Sequence, residues 1–469
     1  VYAASTDPMD PGFDRVVRQI VGDPGDIIDY VYTAQTPTPA NNFATRMTIV
    51  NDRVGNVSEY FYDSLNRLVI ERSYTGRADA DMPTTETTNR PTGKLRPTDP
   101  DFFETRWSWN GDSRPTRVLL VGGESTELLY ELDLNPAAPR RSQGNLREIR
   151  SLPGPLGGDQ AQLVETLEYE PVTNMVTRHV DGRGNQTLHS YDALGNRLHT
   201  QHRIPDIVED WEYNPFGQVR AHVLAENGSG HRRRDEFTYY AAGPPRGYVE
   251  DKIIDAGTSG LALTTTYEYD ARGNRTRLTD PRGHDTQYIY NQLDRVVRET
   301  SREVAAGSGI RHRRDPYYDT NGNIVRLDVE NRDDMGMLQP DTHFTTTWDY
   351  EILNRVIRET REVDPSRNVV TEFDYDDNRN RTLVRLGEAV GGAQPANTIR
   401  FLYDERDLLF RQIRSAGDPG QSTTQYDYDG SGNRVVIDEG QELSPRRTVV
   451  GYDGYGRIIT KIDAMGNVS

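Results

Sequence analysis

The sequence contains no cysteine, and hydrophobic residues make up only 34% of its 469 residues. The missing cysteines exclude disulfide frameworks and cysteine-based metal or redox sites. When Gly is counted as apolar and Tyr is not, the apolar share is about 37%, below the roughly 45–50% of an ordinary globular domain. The longest apolar runs, such as 118–121, are far shorter than the ~18 residues that cross a bilayer. We therefore expect thin sheets with solvated faces, without a thick aliphatic core or a membrane span.

Acidic residues outnumber basic ones by 73 to 55, which gives a net charge of −18. A surface of this sign repels phosphate backbones, so no nucleic-acid partner is expected. The two basic clusters, 232–234 and 311–314, are interpreted as solvated loop tips, the usual place of short charge runs. Because the chain begins with Val1 and has no basic-then-apolar leader, we expect a processed product or a segment of a longer array.

One phrase recurs along the whole chain: a Tyr, an Asp or Asn, two variable residues, and then Gly, Asn or Asp, often followed by Asn or Arg. Copies between Tyr269 and Tyr452 follow one another at 21 to 32 residues. A variable period of this kind is typical of a repeat array whose insertions lie in loops. The residues taken as its structural signature are Tyr62, Asp63, Tyr191, Asp192, Gly195, Tyr213, Gly217, Tyr269, Asp270, Gly273, Tyr290, Tyr318, Gly322, Tyr350, Tyr375, Tyr403, Tyr428, Gly432, Tyr452 and Gly456.

A second turn without Tyr lies 10 or 11 residues from some copies, as at Asp181 before Asp192 and at Asp280 after Asp270. Once a four-residue turn is subtracted, about six or seven residues remain, the length of one strand. An Asp side chain can accept from backbone N–H groups two residues on, and Gly supplies a positive φ. Segments such as 264–269 alternate as strands do. The sequence therefore predicts an all-β chain of antiparallel hairpins, in which Tyr rings pack across strands.

These phrases resemble the RHS or YD-repeat family, found in bacterial polymorphic toxins, in the shell proteins of Tc toxins and in teneurins. The resemblance covers about 52–467 and is clearest from Asp181 onward, while residues 109–114 are a copy with Trp in place of Tyr. The resemblance implies a continuous hairpin ribbon that coils into a hollow shell or open spiral, often around a cargo polypeptide.

No composition shift forces a domain boundary, so we predict one continuous array over 1–469, with degenerate repeats over 1–180 and clear ones over 181–469. Insertions are expected to project from hairpin ends. They are placed at 76–100, 134–159, 226–230, 241–260, 302–310, 331–339 and 387–397.

We predict no catalytic, cofactor or metal residue. The many Asp residues are better explained as turn residues than as acids or bases. Calcium stays open as a less favoured interpretation, because no phrase has the dense acidic spacing of an EF-hand loop. His199 and His202, the closest pair of histidines, are interpreted as exposed residues at a strand edge. The Asp280-Pro281-Arg282-Gly283 phrase is a single copy of a motif that the family's self-cleaving proteases use in pairs, so no protease is inferred.

The function expected from the array is that of a non-catalytic scaffold of a secreted or surface protein, which encloses or delivers a toxin cargo. The alternative is an extracellular fibre-forming or adhesive protein, because exposed terminal strands can pair with another copy. Carbohydrate binding on a Tyr-rich face is a third and less favoured interpretation. The expected partners are a cargo polypeptide, further copies or segments of the same protein, and a glycan. Asn-x-Ser/Thr sequons, as at Asn227, are attributed to turn composition rather than to glycosylation.

Overall fold

The computed structural model describes residues 1–21, 26–204, 207–257, 260–304 and 307–469, and this part of the chain is almost entirely β. Its strands belong to one antiparallel sheet of 33 strands. Within the same residues, helical structure consists of a 3₁₀ turn at Pro39–Asn41 and two four-residue helices, α1 (Glu131–Leu134) and α2 (Gly387–Val390). None of these helices is long and apolar enough to cross a membrane.

The strands of the first half are β1 Arg18–Ile20, β2 Ile27–Ala34, β3 Arg46–Asn51, β4 Asn56–Tyr62, β5 Leu68–Arg77, β6 Phe102–Trp109, β7 Pro115–Leu119, β8 Ser125–Tyr130, β9 Leu146–Leu152, β10 Leu163–Tyr169, β11 Val176–Val180, β12 Gln186–Tyr191, β13 Arg197–Gln201, β14 Val208–Tyr213, β15 Val219–Glu226 and β16 Arg232–Tyr239. Those of the second half are β17 Val249–Ile254, β18 Leu263–Tyr269, β19 Arg275–Thr279, β20 Asp285–Tyr290, β21 Val296–Thr300, β22 Arg313–Tyr318, β23 Ile324–Arg332, β24 Leu338–Tyr350, β25 Val356–Asp364, β26 Arg367–Tyr375, β27 Arg381–Arg385, β28 Thr398–Tyr403, β29 Leu409–Arg414, β30 Ser422–Tyr428, β31 Arg434–Glu439, β32 Arg446–Tyr452 and β33 Ile458–Ile462.

Strand pairing follows the order of the chain. The pairings recorded among the described residues are antiparallel and join a strand to its neighbour in sequence, as β12 pairs with β11 and β13. Such meanders need only short turns, and the repeated phrases supply them. The all-β class and the antiparallel hairpin ribbon predicted from the sequence are confirmed. The single array over 1–469 stays a prediction.

The chain divides into two compact units. Unit 1 comprises 1–134, 148–164 and 371–469. Its apolar core is a cluster of seven buried residues in and beside β3, β4 and β5: Ala44, Met47, Ile49, Val57, Phe61, Val69 and Ile70. The successive residues Met47, Thr48 and Ile49 of β3 are all buried, so both faces of this strand are covered. Asn51 donates from its amide to the carbonyls of Asp79 and Met82 in the insertion that follows β5.

Unit 2 comprises 135–147 and 165–370 and has very little apolar core. Among its described residues, the buried hydrophobic side chains are Ala138 and Ala221, whereas four carboxylates are buried: Asp235, Asp285, Asp328 and Glu330. Each of these carboxylates lies within 4 Å of an arginine. The Arg277–Asp285 pair joins two strands, and the other three pairs lie within one strand. The sheet of unit 2 is thus stabilised by ion pairs and half-buried rings, in agreement with the low apolar content.

The interpretation of the basic clusters as loop tips is wrong for 232–234 and correct only in part for 311–314, since Arg311 and His312 precede β22. Arg232, Arg233 and Arg234 lie on β16, and Arg234 bridges Glu212 on β14 at 2.7 Å. Arg313 and Arg314 lie on β22. Acidic residues on neighbouring strands make these positions favourable, and that complementarity depends on strand register rather than on local sequence.

Among the described residues, five of the predicted insertions contain strand residues, although 76–100 and 226–230 contain only the ends of β5 and β15. The segment 134–159 contains β9, 241–260 contains β17, and 331–339 contains the end of β23 and the start of β24. Of these strands, β9 and β17 lack the repeat phrase, and β17 is held by register pairing with β16 and β18 on either side. Of the predicted insertions, residues 258–259 and 305–306 lie outside the described residues.

Candidate functional site: the repeat turns and the lateral seam

The repeat phrase folds into one recurring turn, which the copy at 191–197 illustrates. The N–H of Gly195 donates to the carbonyl of Asp192 at 3.1 Å, and the N–H of Asp192 donates to the carbonyl of Asn196 at 2.9 Å. Asp192 Oδ1 also accepts from the N–H groups of Leu194 and Asn196, both at 2.9 Å. Gly195 has a φ of +85°, a conformation that side chains other than Gly adopt at a cost. Asp192 is thus the acceptor of this turn, and Gly195 is its positive-φ residue.

The other signature residues occupy the same places. Asp63 and Asp270 accept from the N–H groups two and four residues on. The signature glycines with positive φ are Gly217, Gly273, Gly322, Gly432 and Gly456. In copies without Gly, a different residue adopts the positive φ: Asn66, Ser113, Asp294, Asn354, Arg379 and Asp407. Asn and Asp tolerate this conformation better than most residues, so the copy at Arg379 is the least favourable of them.

Each of the Tyr-led turns described here is accompanied by a shift in strand register that the repeat phrase alone does not predict. Tyr191 pairs with Arg197, but Ser190 pairs with His199, which leaves Leu198 as an extra residue. The same shift falls at Tyr213, Tyr269, Tyr290 and Tyr318. A bulge at this position raises the local twist of the hairpin. The repeat therefore fixes a reversal and a bend together.

The signature tyrosines reach back across the sheet. The hydroxyl of Tyr213 donates at 2.9 Å to the carbonyl of Arg197, the first strand residue after the preceding turn. Seven further signature tyrosines donate to a backbone carbonyl at 2.7–3.1 Å: Tyr191, Tyr290, Tyr318, Tyr350, Tyr403, Tyr428 and Tyr452. Tyr62 and Tyr269 are half-buried, and Tyr375 pairs with Arg381 at the end of β26. Tyrosine is thus favoured over Phe because its hydroxyl ties successive hairpins together.

A ladder of rings and arginines accompanies these tyrosines. The guanidinium of Arg197, after the first turn, lies 4.2 Å from the ring centre of Trp211. Arg275 lies between the rings of Tyr267 and Tyr288, and Arg434 lies over Tyr426. Such cation–π contacts contribute about 0.5–1 kcal/mol each where they are exposed. A signal for this ladder is present in the sequence: an aromatic residue two positions before the signature Tyr and an Arg after the turn.

Substitution of a turn glycine by alanine should show how much of the turn's stability depends on backbone conformation rather than on packing. We expect Gly184→Ala to lower the free energy of unfolding by about 1–2 kcal/mol, because alanine disfavours positive φ. Gly184 has a φ of +80° and no atom within 4 Å of an added Cβ, so no clash contributes. Chemical denaturation measures the change.

Gly228→Ala is the matched control, since its Cβ also meets open space but its φ lies outside the positive range. This variant should be neutral or slightly more stable. Equal destabilisation by both substitutions would contradict the assigned turn geometry.

Within unit 1, turns that are far apart in sequence lie side by side along what we call the lateral seam. It is formed by residues 52–134 and 148–160 on one side and by 378–457 on the other, and its hydrogen bonds join residues such as Tyr455 and Gln160, 295 positions apart, and Arg96 and Asp427, 331 positions apart. At one end, the amide of Asn378 donates to Asp52 at 2.7 Å. At the other, the hydroxyl of Tyr455 donates to the carbonyl of Gln160 at 2.8 Å.

Arg96 is the central cation of the lateral seam. Its guanidinium lies 3.1 Å from Asp404 and 3.3 Å from Asp427, and its side chain is 11% exposed. The side chain of Asp404 is fully buried and also accepts from two N–H groups of its own turn. Although burial works against the charge of Arg96, the hydrogen bond and charge of Asp404 raise the pKa of the guanidinium. A turn residue of one repeat is thus neutralised by an insertion residue about 300 positions earlier.

Two glycines bring the backbones into direct contact elsewhere on the lateral seam. The N–H of Gly154 donates at 2.6 Å to the carbonyl of Gly454. An added Cβ at Gly454 would lie 2.7 Å from the carbonyl oxygens of Gly154 and Gly157. Glycine is required here by this close approach, because the seam would otherwise have to open.

Burial at the lateral seam reverses the direction of the pKa shift of the turn aspartate. In the exposed turn of Asp270, the backbone N–H and side-chain amide of Asn274 lower the pKa of the carboxyl. In the seam turn of Asp52, burial raises the pKa, and the hydrogen bonds from Asn378 and Asn56 only partly oppose it. The carboxyl pKa of the same type of turn is therefore lowered where the turn is exposed and raised where the turn is buried at the lateral seam.

The paired carboxylate of Asp285 should make the stability of unit 2 depend on pH in the acid range. Burial works to raise the pKa of Asp285, but hydrogen bonds from Arg311 and Gln287 outweigh it and lower the pKa to about 2. Stability from this carboxylate is therefore present above its unfolded pKa of ~3.9 and is lost as pH falls toward the folded value. We expect Asp285→Asn to lower the free energy of unfolding by about 2 kcal/mol at pH 7. The difference from wild type should shrink between about pH 4 and pH 2.

Denaturation at several pH values measures this effect, and Asp112→Asn is the control, since Asp112 lies exposed in a turn. A pH-independent difference for Asp285→Asn would show that the loss is one of packing rather than of charge.

Several histidines of unit 2 are paired with acids. His202 and His222 both contact Glu209, at 2.9 and 2.6 Å, and His199 contacts Asp210 at 2.5 Å. The prediction of exposed strand-edge histidines is thus correct only in part, because His199 and His202 are half-buried and engaged. Within the described ranges, His, Asp and Glu side chains form no group of three or more that could hold a metal ion.

Comparison with known proteins gives one family-model match and several matches to solved structures. Residues 257–285 and 269–303 match the family model described as RHS Repeat. No curated protein sequence matches the chain. Among solved structures, the chain is similar to the crystal structure of TcdB2-TccC3-Cdc42 (12% identity, TM-score 0.48, 94% of this chain and 27% of that chain covered). It is also similar to the crystal structure of TcdB2-TccC3 (12%, 0.48, 89% and 26%) and to the Tc holotoxin pore of Photorhabdus luminescens (10%, 0.23, 90% and 32%).

The chain spans about a quarter of the length of the two crystal chains it matches. The continuous hairpin ribbon and its bulged Tyr-Asp turns define a β-repeat scaffold. Residues 257–303 match the RHS repeat model, and the same turn recurs at other places along the described ribbon.

Proposed function

We propose that this protein is the wall of a container: an RHS-repeat scaffold, without an active site of its own, that encloses a polypeptide cargo of a secreted or surface-borne toxin. The lateral seam is the observation that carries the proposal. Seam contacts between turns about 300 residues apart let a ribbon build a wall from adjoining layers. The RHS repeat match over 257–303 supports the same role, because repeat arrays gain stability from contacts between neighbours.

The signature residues are proposed to serve this wall rather than any chemistry. Their Asp oxygens accept turn N–H groups and their Tyr hydroxyls are used to join hairpins, which leaves these groups committed to structure. A thin wall also suits enclosure, since unit 2 buries mainly paired carboxylates and little apolar volume. The net charge of −18 favours a soluble exterior.

Protease protection of a co-expressed polypeptide tests this proposal. The protein should be purified together with any further segments that its gene encodes, and then treated with protease. We expect a protected second polypeptide and density for it inside the assembly by electron microscopy. Gly454→Ala, which opens the lateral seam, should expose that polypeptide to cleavage, whereas Gly228→Ala should not.

An assembly that is solid, or that holds no second polypeptide, would contradict enclosure. Equal protection in the seam-opened variant would contradict the role assigned to the seam.

A second candidate, a fibre-forming or adhesive scaffold, is favoured by the exposed residues of β33. Ile458 and Ile459 are 65% and 61% exposed on this strand, and an apolar strand of this kind can pair with another segment or copy. Sedimentation over a range of concentrations tests it: end-to-end growth that Ile459→Lys abolishes would support the candidate, and a strict monomer would exclude it.

A further inference from the structure

An aromatic pocket lies on the sheet of unit 2. Rings and two cations from β16 to β20 surround an open cavity of about 390 Å³. The lining side chains that matter for its chemistry are Phe237, Lys252, Tyr267, Tyr269, Arg275 and Tyr290. The volume lies within the ~300–1,000 Å³ typical of small-molecule sites, which favours a small ligand over a chain-sized one.

The pocket wall is held in place by neighbouring rings. Tyr269 packs edge-on against Tyr240 at 6.1 Å between ring centres, and against Tyr248 at 5.0 Å. Tyr248 in turn covers Gly273, where an added Cβ would lie 2.4 Å from the Tyr248 hydroxyl. Tyr290 is fixed by the hydrogen bond from its hydroxyl to the carbonyl of Arg275, at 2.9 Å. The aromatic walls are therefore formed before any ligand arrives.

The charge of the pocket is opposite to that of the chain. The chain has three lysines, at 94, 252 and 461, and Lys94 is paired with Asp101. Lys252, by contrast, makes no ion pair with the described residues, and none of the described residues that line the cavity is a carboxylate. The guanidinium of Arg275 lies over Tyr267 and Tyr288 and likewise has no ion pair within the described part of the chain. Other arginines of the chain, such as Arg298, are paired with an acid. Because no described residue that lines this cavity is an acid, its two cations attract an anion.

We propose that this pocket binds a small organic anion in which one carboxylate adjoins an apolar ring face. The carboxylate would lie between Lys252 and Arg275, where both cations can donate to it. The ring face would stack on Tyr267 and Tyr269, whose hydroxyls make no hydrogen bond with the described residues and can donate to ligand oxygens. A uronic acid residue and an aromatic carboxylate share this chemistry.

Two probe acids distinguish a uronic acid from an aromatic carboxylate as the ligand, and each acid has an uncharged counterpart. D-galacturonic acid is compared with its methyl ester, and 4-hydroxyphenylacetate with 4-hydroxyphenylacetamide, by calorimetric titration of the full chain. At least one acid should bind, and its uncharged counterpart should bind about tenfold more weakly or worse. Lys252→Met should weaken binding of the acid about tenfold, and added salt should do the same.

Lys461→Met and Arg295→Met are the controls. Arg295 holds the equivalent place over Tyr318, outside the pocket, so neither control should change the affinity. Circular dichroism of each variant checks the fold, and Lys252→Gln replaces Lys252→Met if the latter changes the spectrum. The proposal is overturned if neither acid binds at about 10 mM, if the uncharged counterparts bind equally well, or if loss of the Lys252 charge leaves the affinity unchanged.

Discussion

Arg96→Ala is expected to destabilise unit 1 by about 3–5 kcal/mol, the usual cost of removing one partner of a buried ion pair. The variant leaves the fully buried Asp404 carboxylate without its nearest cation, which lies 3.1 Å away in the native protein. It also removes the hydrogen bond from the guanidinium to the carbonyl of Tyr426, and the stacking on Phe410 and Tyr428. Hydrogen exchange at the lateral seam, together with urea denaturation, measures the effect.

The response to a second substitution separates charge from packing. Asn occupies the first turn position in the copies at Asn214 and Asn291, so Asp404→Asn can keep the turn hydrogen bonds while it removes the charge. The double variant Arg96→Met with Asp404→Asn should therefore recover most of the stability. The surface variant Arg361→Ala, at a side chain 65% exposed, should change stability by less than about 1 kcal/mol. If Arg96→Ala costs no more than Arg361→Ala, the lateral seam does not depend on this ion pair.

Gly454→Ala should open the lateral seam at its other end. The new Cβ would lie 2.7 Å from two backbone carbonyl oxygens, and backbone cannot move aside as a flexible side chain can. Separation of the two segments breaks the Gly154–Gly454 hydrogen bond and leaves polar groups without partners. Each polar group that stays buried without a partner costs about 1–3 kcal/mol of stability. We expect a local loss of about 2–4 kcal/mol, seen as faster hydrogen exchange at both glycines and as new protease cleavage nearby.

Tyr455→Phe provides a graded comparison, because it removes only the 2.8 Å hydrogen bond to the carbonyl of Gln160. It should cost about 1 kcal/mol and leave exchange at Gly154 nearly unchanged. If Gly454→Ala behaves like Tyr455→Phe, the close backbone approach has no role in holding the two segments together.

The local part of the fold could be predicted because its causes are local. Asp192 and Gly195 act within five residues of one another, so their pattern in the sequence predicts both the turn and the hairpin that it joins. The acceptor of each Tyr hydroxyl could not be found this way. Tyr213 reaches Arg197, 16 residues earlier, and the identity of that carbonyl depends on the bulge that shifts the register.

Strands without the repeat phrase also show that long-range pairing could not be predicted from local sequence. Residues 249–254 carry no Tyr-led turn and fall within a predicted insertion, yet they pair on both sides as β17. The basic residues at 232–234 were misplaced for a related reason: their acidic partners lie on other strands, and local charge does not reveal them.

By itself, the sequence determined the all-β class, the antiparallel hairpins and the positions of the turns, since each of these follows from residues within one repeat. Only the tertiary structure decided which turns meet across the lateral seam, which carboxylates are buried beside arginines, and where rings and unpaired cations form a pocket. The physical reason is distance along the chain. Arg96 and Asp404 are 308 positions apart, and no local propensity couples residues that only the folded ribbon brings into contact.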